Sequence, residues 1–128
     1  MKRNSPLKPT DAELAILRVL WQRGRSTVRE VTEDLNRVQR TGYTTALKIM
    51  QIMTDKGLVK RDETARSHVY EAALSEDETQ QQLVRHLLDR AFGGAAFKLV
   101  QHALAAKKAT PSELAEIRKL INDMEGGS

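Results

Sequence analysis

The sequence predicts a mostly α-helical protein in two parts, with three helices and a β-hairpin in residues 1–73 and three more helices in residues 74–128. Three observations predict this fold class. Apolar residues recur every three or four positions in six segments, most of which have a capping residue or a glycine at one end. A short stretch after Gly57 is instead rich in β-forming residues. The few aromatic residues leave a core of mainly aliphatic side chains, which suits packed helices.

Two capping boxes predict the first two helices. Thr10-Asp11-Ala12-Glu13 starts a helix that Gly24 ends, because the threonine and glutamate side chains can bond each other's backbone amides. Thr27-Val28-Arg29-Glu30 starts a second helix of about three turns, whose apolar face is expected to run on as far as Val38. The apolar positions of the two helices are Leu14, Leu17, Leu20, Trp21, Val28, Val31, Leu35 and Val38.

A third helix is predicted from about Tyr43 to Lys56, with Gly57 as its left-handed C-cap. Its buried side should consist of Ala46, Leu47, Met50 and Met53. The β-rich runs 58–61 and 68–71 then form a hairpin around a polar connection. Three helices followed by a hairpin indicate a winged helix-turn-helix, with the hairpin as the wing.

The second half is predicted to join two copies of the chain. A capped helix starts after Ser75, Gly93-Gly94 interrupts the pattern, a fifth helix follows, and Pro111 opens a sixth. Three short helices bury too little surface to be stable alone, so we expect a homodimer, and a compact monomer is the alternative. The expected dimerisation residues are Leu83, Leu87, Leu88, Phe92, Val100, Leu104, Leu114, Ile117 and Ile121.

Charge and helix chemistry predict double-stranded DNA as the partner. Residues through Ala72 include 14 basic and 9 acidic side chains, whereas the rest include 7 and 8; phosphates attract such a local basic excess. The start of the third helix would read bases in the major groove through Thr44, Thr45, Lys48 and Gln51. Phosphate or wing contacts are expected from Thr27, Arg29, Arg40, Thr41, Tyr43, Lys60, Arg61 and Arg66. The alternatives are a solvated helix face and a winged helix that binds a protein.

Other classes of function are disfavoured. The chain has no cysteine, and its three histidines lack metal-ligand spacing, so we expect neither a metal site nor a cofactor. No catalytic motif is present, which argues against an enzyme. No run of apolar residues is long enough for a membrane helix and no signal peptide is evident, so we expect a cytoplasmic protein.

Several short stretches together resemble the penicillinase repressor family, the BlaI/MecI/CopY group of bacterial regulators, over nearly the whole chain. In the first half they are Thr10-Asp11-Ala12-Glu13, Leu20-Trp21, 28–35, Tyr43-Thr44-Thr45, 55–59 and Val69-Tyr70. In the second half they are 90–94, Leu99-Val100 and the proline-capped last helix. The resemblance implies a dimeric repressor that binds pseudo-palindromic operators with TACA and TGTA elements through its winged helices.

The resemblance also implies a route of induction. In relatives tied to β-lactam resistance, a membrane-bound metalloprotease sensor triggers cleavage of the repressor in its C-terminal helices. The family's Asn-Phe cleavage site falls at His102-Ala103 here, a departure that weighs against cleavage and against a β-lactam signal. The cysteine motif of copper-responsive relatives is absent, which disfavours copper sensing. At the wing, Thr64-Ala65-Arg66 replaces the common Gly-Arg tip.

Overall fold

The computed structural model describes residues 8–64 and 66–126. These residues form six α-helices and three short strands in the order α1, β1, α2, α3, β2, β3, α4, α5 and α6. The chain divides into two compact units, an N-terminal unit that ends at Leu83 and a C-terminal unit that begins at Val84. The predicted fold class, mostly helical with a winged helix-turn-helix in the first half, is confirmed.

The N-terminal unit begins with the two capped helices. Helix α1 is Asp11–Arg23 and helix α2 is Val28–Leu35. Both predicted capping boxes are present: the Glu13 amide donates to Thr10 Oγ1 over 3.1 Å, and the Glu30 amide donates to Thr27 Oγ1 over 3.2 Å. Each glutamate in turn accepts a hydrogen bond from the threonine's own amide. The sequence therefore specifies where both helices start through hydrogen bonds between residues three positions apart.

Helix α2 is shorter than predicted, and the inclusion of Val38 in its apolar face is wrong. The helix ends at Leu35, and Val38 is 93% exposed. The side chain of Asn36 explains the early end: it donates to the carbonyls of Thr32 and Thr41 and accepts from the Thr41 amide. These bonds hold a loop closed around Asn36, where another helical turn would otherwise follow.

Helix α3 is Tyr43–Lys56, as predicted, and Gly57 caps it with φ at +81°. Strand β2 is Val59–Asp62 and strand β3 is Val69–Ala72, each shifted by one residue from the expected run. They pair antiparallel with Val59 opposite Ala72. Strand β1, Ser26–Thr27, was not predicted; it pairs with the other edge of β3, so β3 lies at the centre of the sheet.

One aliphatic core holds these elements together. Helix α3 contributes Ala46, Met50 and Met53, none of which is exposed to solvent. Beside the core, the Trp21 indole Nε1–H donates to the carbonyl of Leu74 over 3.0 Å, which ties α1 to the segment after the sheet. Among the described residues, the buried apolar side chains of this core are Ile16, Leu17, Leu20, Val28, Val31, Ala46, Met50, Met53, Val59 and Tyr70. This core sets which face of α3 points outward.

Three helices follow the sheet: α4 is Glu76–Ala91, α5 is Ala96–Ala106 and α6 is Pro111–Gly126. Capping pairs again mark two of the starts, between Ser75 and Glu78 and between Thr110 and Glu113. Gly93 and Gly94 both have positive φ, and the Gly94 amide donates to the carbonyl of Leu88, which ends α4. A non-glycine side chain would strain the backbone at this turn.

Candidate nucleic-acid interface

The outward face of α3 carries all four residues that were predicted to read bases. Thr44, Thr45, Lys48 and Gln51 are exposed. They share this face because positions three, four and seven apart lie on one side of a helix. The opposite side of α3 is packed in the core, so the direction in which this face of the helix points is fixed. We call this surface, together with Ile52 and Asp55, the reading face.

Ile52 is the member of the reading face that the sequence analysis missed. It is 41% exposed and lies one turn beyond Lys48. Asp55, also exposed, follows at the C-terminal end. The face therefore changes in character along the helix, from hydroxyls and an ammonium group at the start to an apolar and an acidic side chain at the end. A helical-wheel projection of α3 would have revealed Ile52 among the outward positions.

A cleft beside the reading face collects predicted phosphate contacts from three elements. It has a volume of about 390 Å³ and lies between the start of α2, the start of α3 and the wing. Four of the predicted residues, Thr27, Arg29, Tyr43 and Arg66, line it. His68, which was not assigned a role, lines it as well. Thr27 also caps α2, so its hydroxyl oxygen already accepts one hydrogen bond.

Arg40 and Thr41 lie on the other side of α3. Both line a groove of about 740 Å³ between α1, the α2–α3 connection and α3. Thr41 is held in place, since its amide donates to Asn36 Oδ1 over 2.7 Å and its hydroxyl donates to the carbonyl of Gln39. Arg40 is exposed. The structure therefore separates this pair from the cleft that contains Arg29 and Arg66.

The two basic residues of β2 differ in their surroundings. Lys60 is exposed, whereas the Arg61 guanidinium lies 2.6 Å from Glu63. The Tyr70 side chain first, and then Glu63, raise the pKa of Arg61. Because Arg61 is already paired with the Glu63 carboxylate, a DNA phosphate would have to share the Arg61 charge with Glu63. Of the wing tip, Ala65 lies outside the described residues.

Ion pairs fix the base of the wing. Arg25, just before β1, pairs with Asp62 over 2.7 Å and with Glu71 over 3.5 Å. Asp62 also accepts hydrogen bonds from the Thr64 amide and hydroxyl. The Thr64 amide first, then its hydroxyl and Arg25, hold the pKa of Asp62 below its usual value. The acid thus connects the turn of the wing to the strand that precedes α2.

A partly buried ion pair anchors the C-terminal end of α3. Lys56 Nζ lies 2.8 Å from Glu13 Oε2, and the Glu13 side chain is only 4% exposed. Burial by itself raises the pKa of Glu13, but the bonds from Lys56 and from the Thr10 amide outweigh burial and lower it. The carboxylate therefore stays charged, and it joins the start of α1 to the end of the helix that carries the reading face.

The apolar residues predicted to form the dimer differ in their exposure. In the part of the chain that the structure describes, neither α5 nor α6 has a buried residue. Leu83, Leu88, Phe92 and Ile117 are half-buried. The exposed predicted residues are Leu87, Val100, Leu104, Leu114 and Ile121, and further exposed apolar residues are Val84, Phe97, Leu120 and Met124.

The position that corresponds to the family's cleavage site lies inside a helix. His102 and Ala103 belong to α5, and the His102 ring packs against Phe92 at a centroid distance of 5.8 Å. A protease needs an extended backbone in its active site, so this stretch of α5 would have to unwind before cleavage.

In residues 8–64 and 66–126, no cluster of three potential metal ligands is found, and no helix is long and apolar enough to cross a membrane.

Comparison with known proteins agrees with this geometry. A family model described as penicillinase repressor matches residues 9–123. No curated protein matches the chain. Among solved structures, the solution structure of the DNA-binding domain of the repressor BlaI matches with a TM-score of 0.52 and 21% sequence identity, over 59% of this chain and 93% of that chain. At this identity the likeness concerns the fold.

Proposed function

The chain belongs to the penicillinase repressor family, and on that premise we propose that it represses transcription as a cytoplasmic homodimer that binds a pseudo-palindromic DNA operator. The proposal assigns DNA binding to residues 1–73 and dimerisation to residues 74–128. Neither a cofactor nor a reaction is part of it, in keeping with a family of transcriptional repressors. Occupation of the promoter is enough to block the polymerase.

The observation that carries DNA binding is the exposed first half of the reading face. Thr44, Thr45 and Lys48 project from a helix whose other side is fixed in the core. Hydroxyls can bond bases or phosphates, and the lysine can donate to the O6 and N7 atoms of guanine. Arg29 and Arg66 lie in the adjoining cleft, where they can meet the phosphates that flank the groove.

The apolar surface of the C-terminal unit supports the homodimer. Many large apolar side chains on α5 and α6 remain accessible in a single chain, which is the usual sign of a surface that another molecule covers. A second copy is the simplest such molecule, because two-fold dimers are the commonest assembly. A two-fold dimer would also present two reading faces to the two halves of a palindrome.

For induction we extend the proposal to proteolysis in the C-terminal helices, with a membrane sensor protease pathway as the route. Cleavage at His102-Ala103, where the residues differ from the family's Asn-Phe pair, would divide α5 and weaken the dimer. Because this bond lies in a helix, cleavage would be limited by local unwinding. Incubating the protein with the sensor protease and locating the cut by mass spectrometry tests this step; an intact chain would remove it.

The proposed DNA binding is tested with DNA from upstream of the protein's own gene, across a salt series, with scrambled DNA of equal length as the control. We expect selective binding whose affinity falls steeply with salt, because binding releases counterions from the phosphates. Lys48→Ala should weaken binding to the operator by about 1–3 kcal/mol if Lys48 reads a base. Equal and salt-insensitive binding to both DNAs would overturn the proposal in favour of a protein-interaction module.

A further inference from the structure

The reading face contains one large apolar side chain, Ile52. Ile52 is 41% exposed and lies seven residues after Thr45 and four after Lys48. These spacings place the three side chains in one stripe along α3. The helix carries its core residues on the other side, so Ile52 is an outward residue that the core does not use.

At its C-terminal end the reading face presents Ile52 and Asp55, and neither side chain can bind a phosphate. Ile52 has no polar atom, and the Asp55 carboxylate only accepts hydrogen bonds and carries the same charge as a phosphate. Lys48, by contrast, can serve either a phosphate or a base. If this end of α3 contacts DNA, it therefore contacts base edges and not the backbone.

We propose that Ile52 is a specificity-determining residue that contacts the C5-methyl group of a thymine in the major groove. The inference rests on the proposed DNA binding and deepens it. Thymine is the base that presents an apolar group in the major groove, and an aliphatic side chain is its natural contact. Ile52 thereby selects a T·A pair in each half-site, next to the base pairs that Thr45 and Lys48 read.

This contact has a distinct energetic signature. Burying one methyl group against an aliphatic side chain changes affinity about fourfold per half-site. Because no charge is involved, the contact leaves the dependence of affinity on salt unchanged. Loss of a phosphate-binding lysine, by contrast, makes that dependence less steep.

Uracil substitution tests the contact directly, because deoxyuridine pairs as thymidine does and lacks only the C5-methyl group. Each thymine of one operator half-site is replaced in turn by deoxyuridine, and affinities are measured for the full-length wild-type protein and for Ile52→Ala. We expect one position at which the wild-type protein loses about fourfold in affinity, and at which Ile52→Ala binds both DNAs equally.

Two further variants complete the design. Val38→Ala is the matched control, since Val38 is also an exposed apolar residue but lies outside α3; this variant should keep the wild-type preference for thymine. Ile52→Val, which keeps the β-branched shape and is the variant least disturbing to the fold, should show an intermediate preference. Circular dichroism verifies that each variant is folded.

Two results would overturn the inference, and they are distinguishable. If the wild-type protein selects its operator but Ile52→Ala retains the full preference for thymine at every position, Ile52 does not read the base, whereas the proposed function stands. If the wild-type protein binds operator and scrambled DNA alike, both proposals fail. A loss of the thymine preference confined to the Ile52 variants supports the inference.

Discussion

Replacing Lys56 by methionine should destabilise the N-terminal unit by about 2 kcal/mol. The substitution keeps the length of the side chain and removes the charge that lies 2.8 Å from Glu13 Oε2. Breaking a fully buried ion pair costs about 3–5 kcal/mol, because one charge is left without its partner, whereas exposed pairs contribute about 0–1 kcal/mol. Glu13 is 4% exposed but Lys56 is 28% exposed, so the cost should lie between these limits.

Urea unfolding followed by fluorescence is the assay. The single tryptophan, Trp21, packs within the N-terminal unit and bonds Leu74, so its emission reports the unfolding of that unit. A loss of about 2 kcal/mol lowers the urea midpoint by about 1 M for a typical small domain. Lys60→Met is the matched control, since Lys60 is exposed, and its midpoint should stay close to that of the wild type. Protein concentration is held fixed because a dimer couples stability to concentration.

A double-mutant cycle isolates the contribution of the ion pair. Glu13→Gln preserves an acceptor for the Thr10 amide and removes the carboxylate charge. If the pair acts as the structure indicates, Glu13→Gln combined with Lys56→Met should cost about 1 kcal/mol less than the sum of the two single changes. If the losses of stability in Glu13→Gln and Lys56→Met are additive, the ion pair does not stabilise the N-terminal unit. A Lys56→Met midpoint equal to that of Lys60→Met would lead to the same conclusion.

Three further results are expected. The pKa of Glu13 is lower in the folded than in the unfolded protein, so the contribution of Glu13 to stability is complete above the ordinary value of 4.5 and is lost as pH falls through the folded value. The difference in urea midpoint between wild type and Glu13→Gln should therefore shrink towards pH 3. A difference that stays constant with pH would contradict this expectation. Gly57→Ala should lower stability by about 1–2 kcal/mol, because φ at this residue is +81°. Gly42→Ser, at a helix start with negative φ and no side-chain cap, should not lower stability. Equal urea midpoints for the two variants would count against backbone strain at position 57. Leu87→Asp should shift the dimer towards monomer in sedimentation, because it would bury a charge in the interface. His86→Asp, about 100° away around α4, should leave the dimer intact. An unchanged dimer for Leu87→Asp would remove Leu87 from the interface.

The elements that sequence predicted well are those determined by neighbouring residues. The capping boxes at Thr10 and Thr27 and the left-handed Gly57 depend on contacts within a few positions, and all three occur as predicted. The extent of α3 followed from these local signals and from its apolar period. The outward position of Thr44 and Lys48 followed in turn, since a buried stripe defines its opposite face.

The features that sequence missed depend on distant partners. Strand β1 has two residues and no detectable period; it exists because β3 offers a free edge. The pair of Glu13 and Lys56 joins residues 43 positions apart. Val38 fitted the helical period, but a side-chain network around Asn36 ended the helix earlier. Neither the spacing of apolar residues nor the secondary-structure propensity of a segment indicates which distant residues it will contact.

The central position of β3 has a consequence for the order of folding. Helices α1 and α2 can begin to form as soon as their caps are free to bond, since those contacts are local. The pairing of Ser26 with Tyr70 must instead close a long loop that contains α2, α3 and β2, and the lost chain entropy slows that step. We therefore expect the sheet to assemble last, on helices already in contact. A destabilised wing would then accelerate unfolding and leave the rate of helix formation almost unchanged.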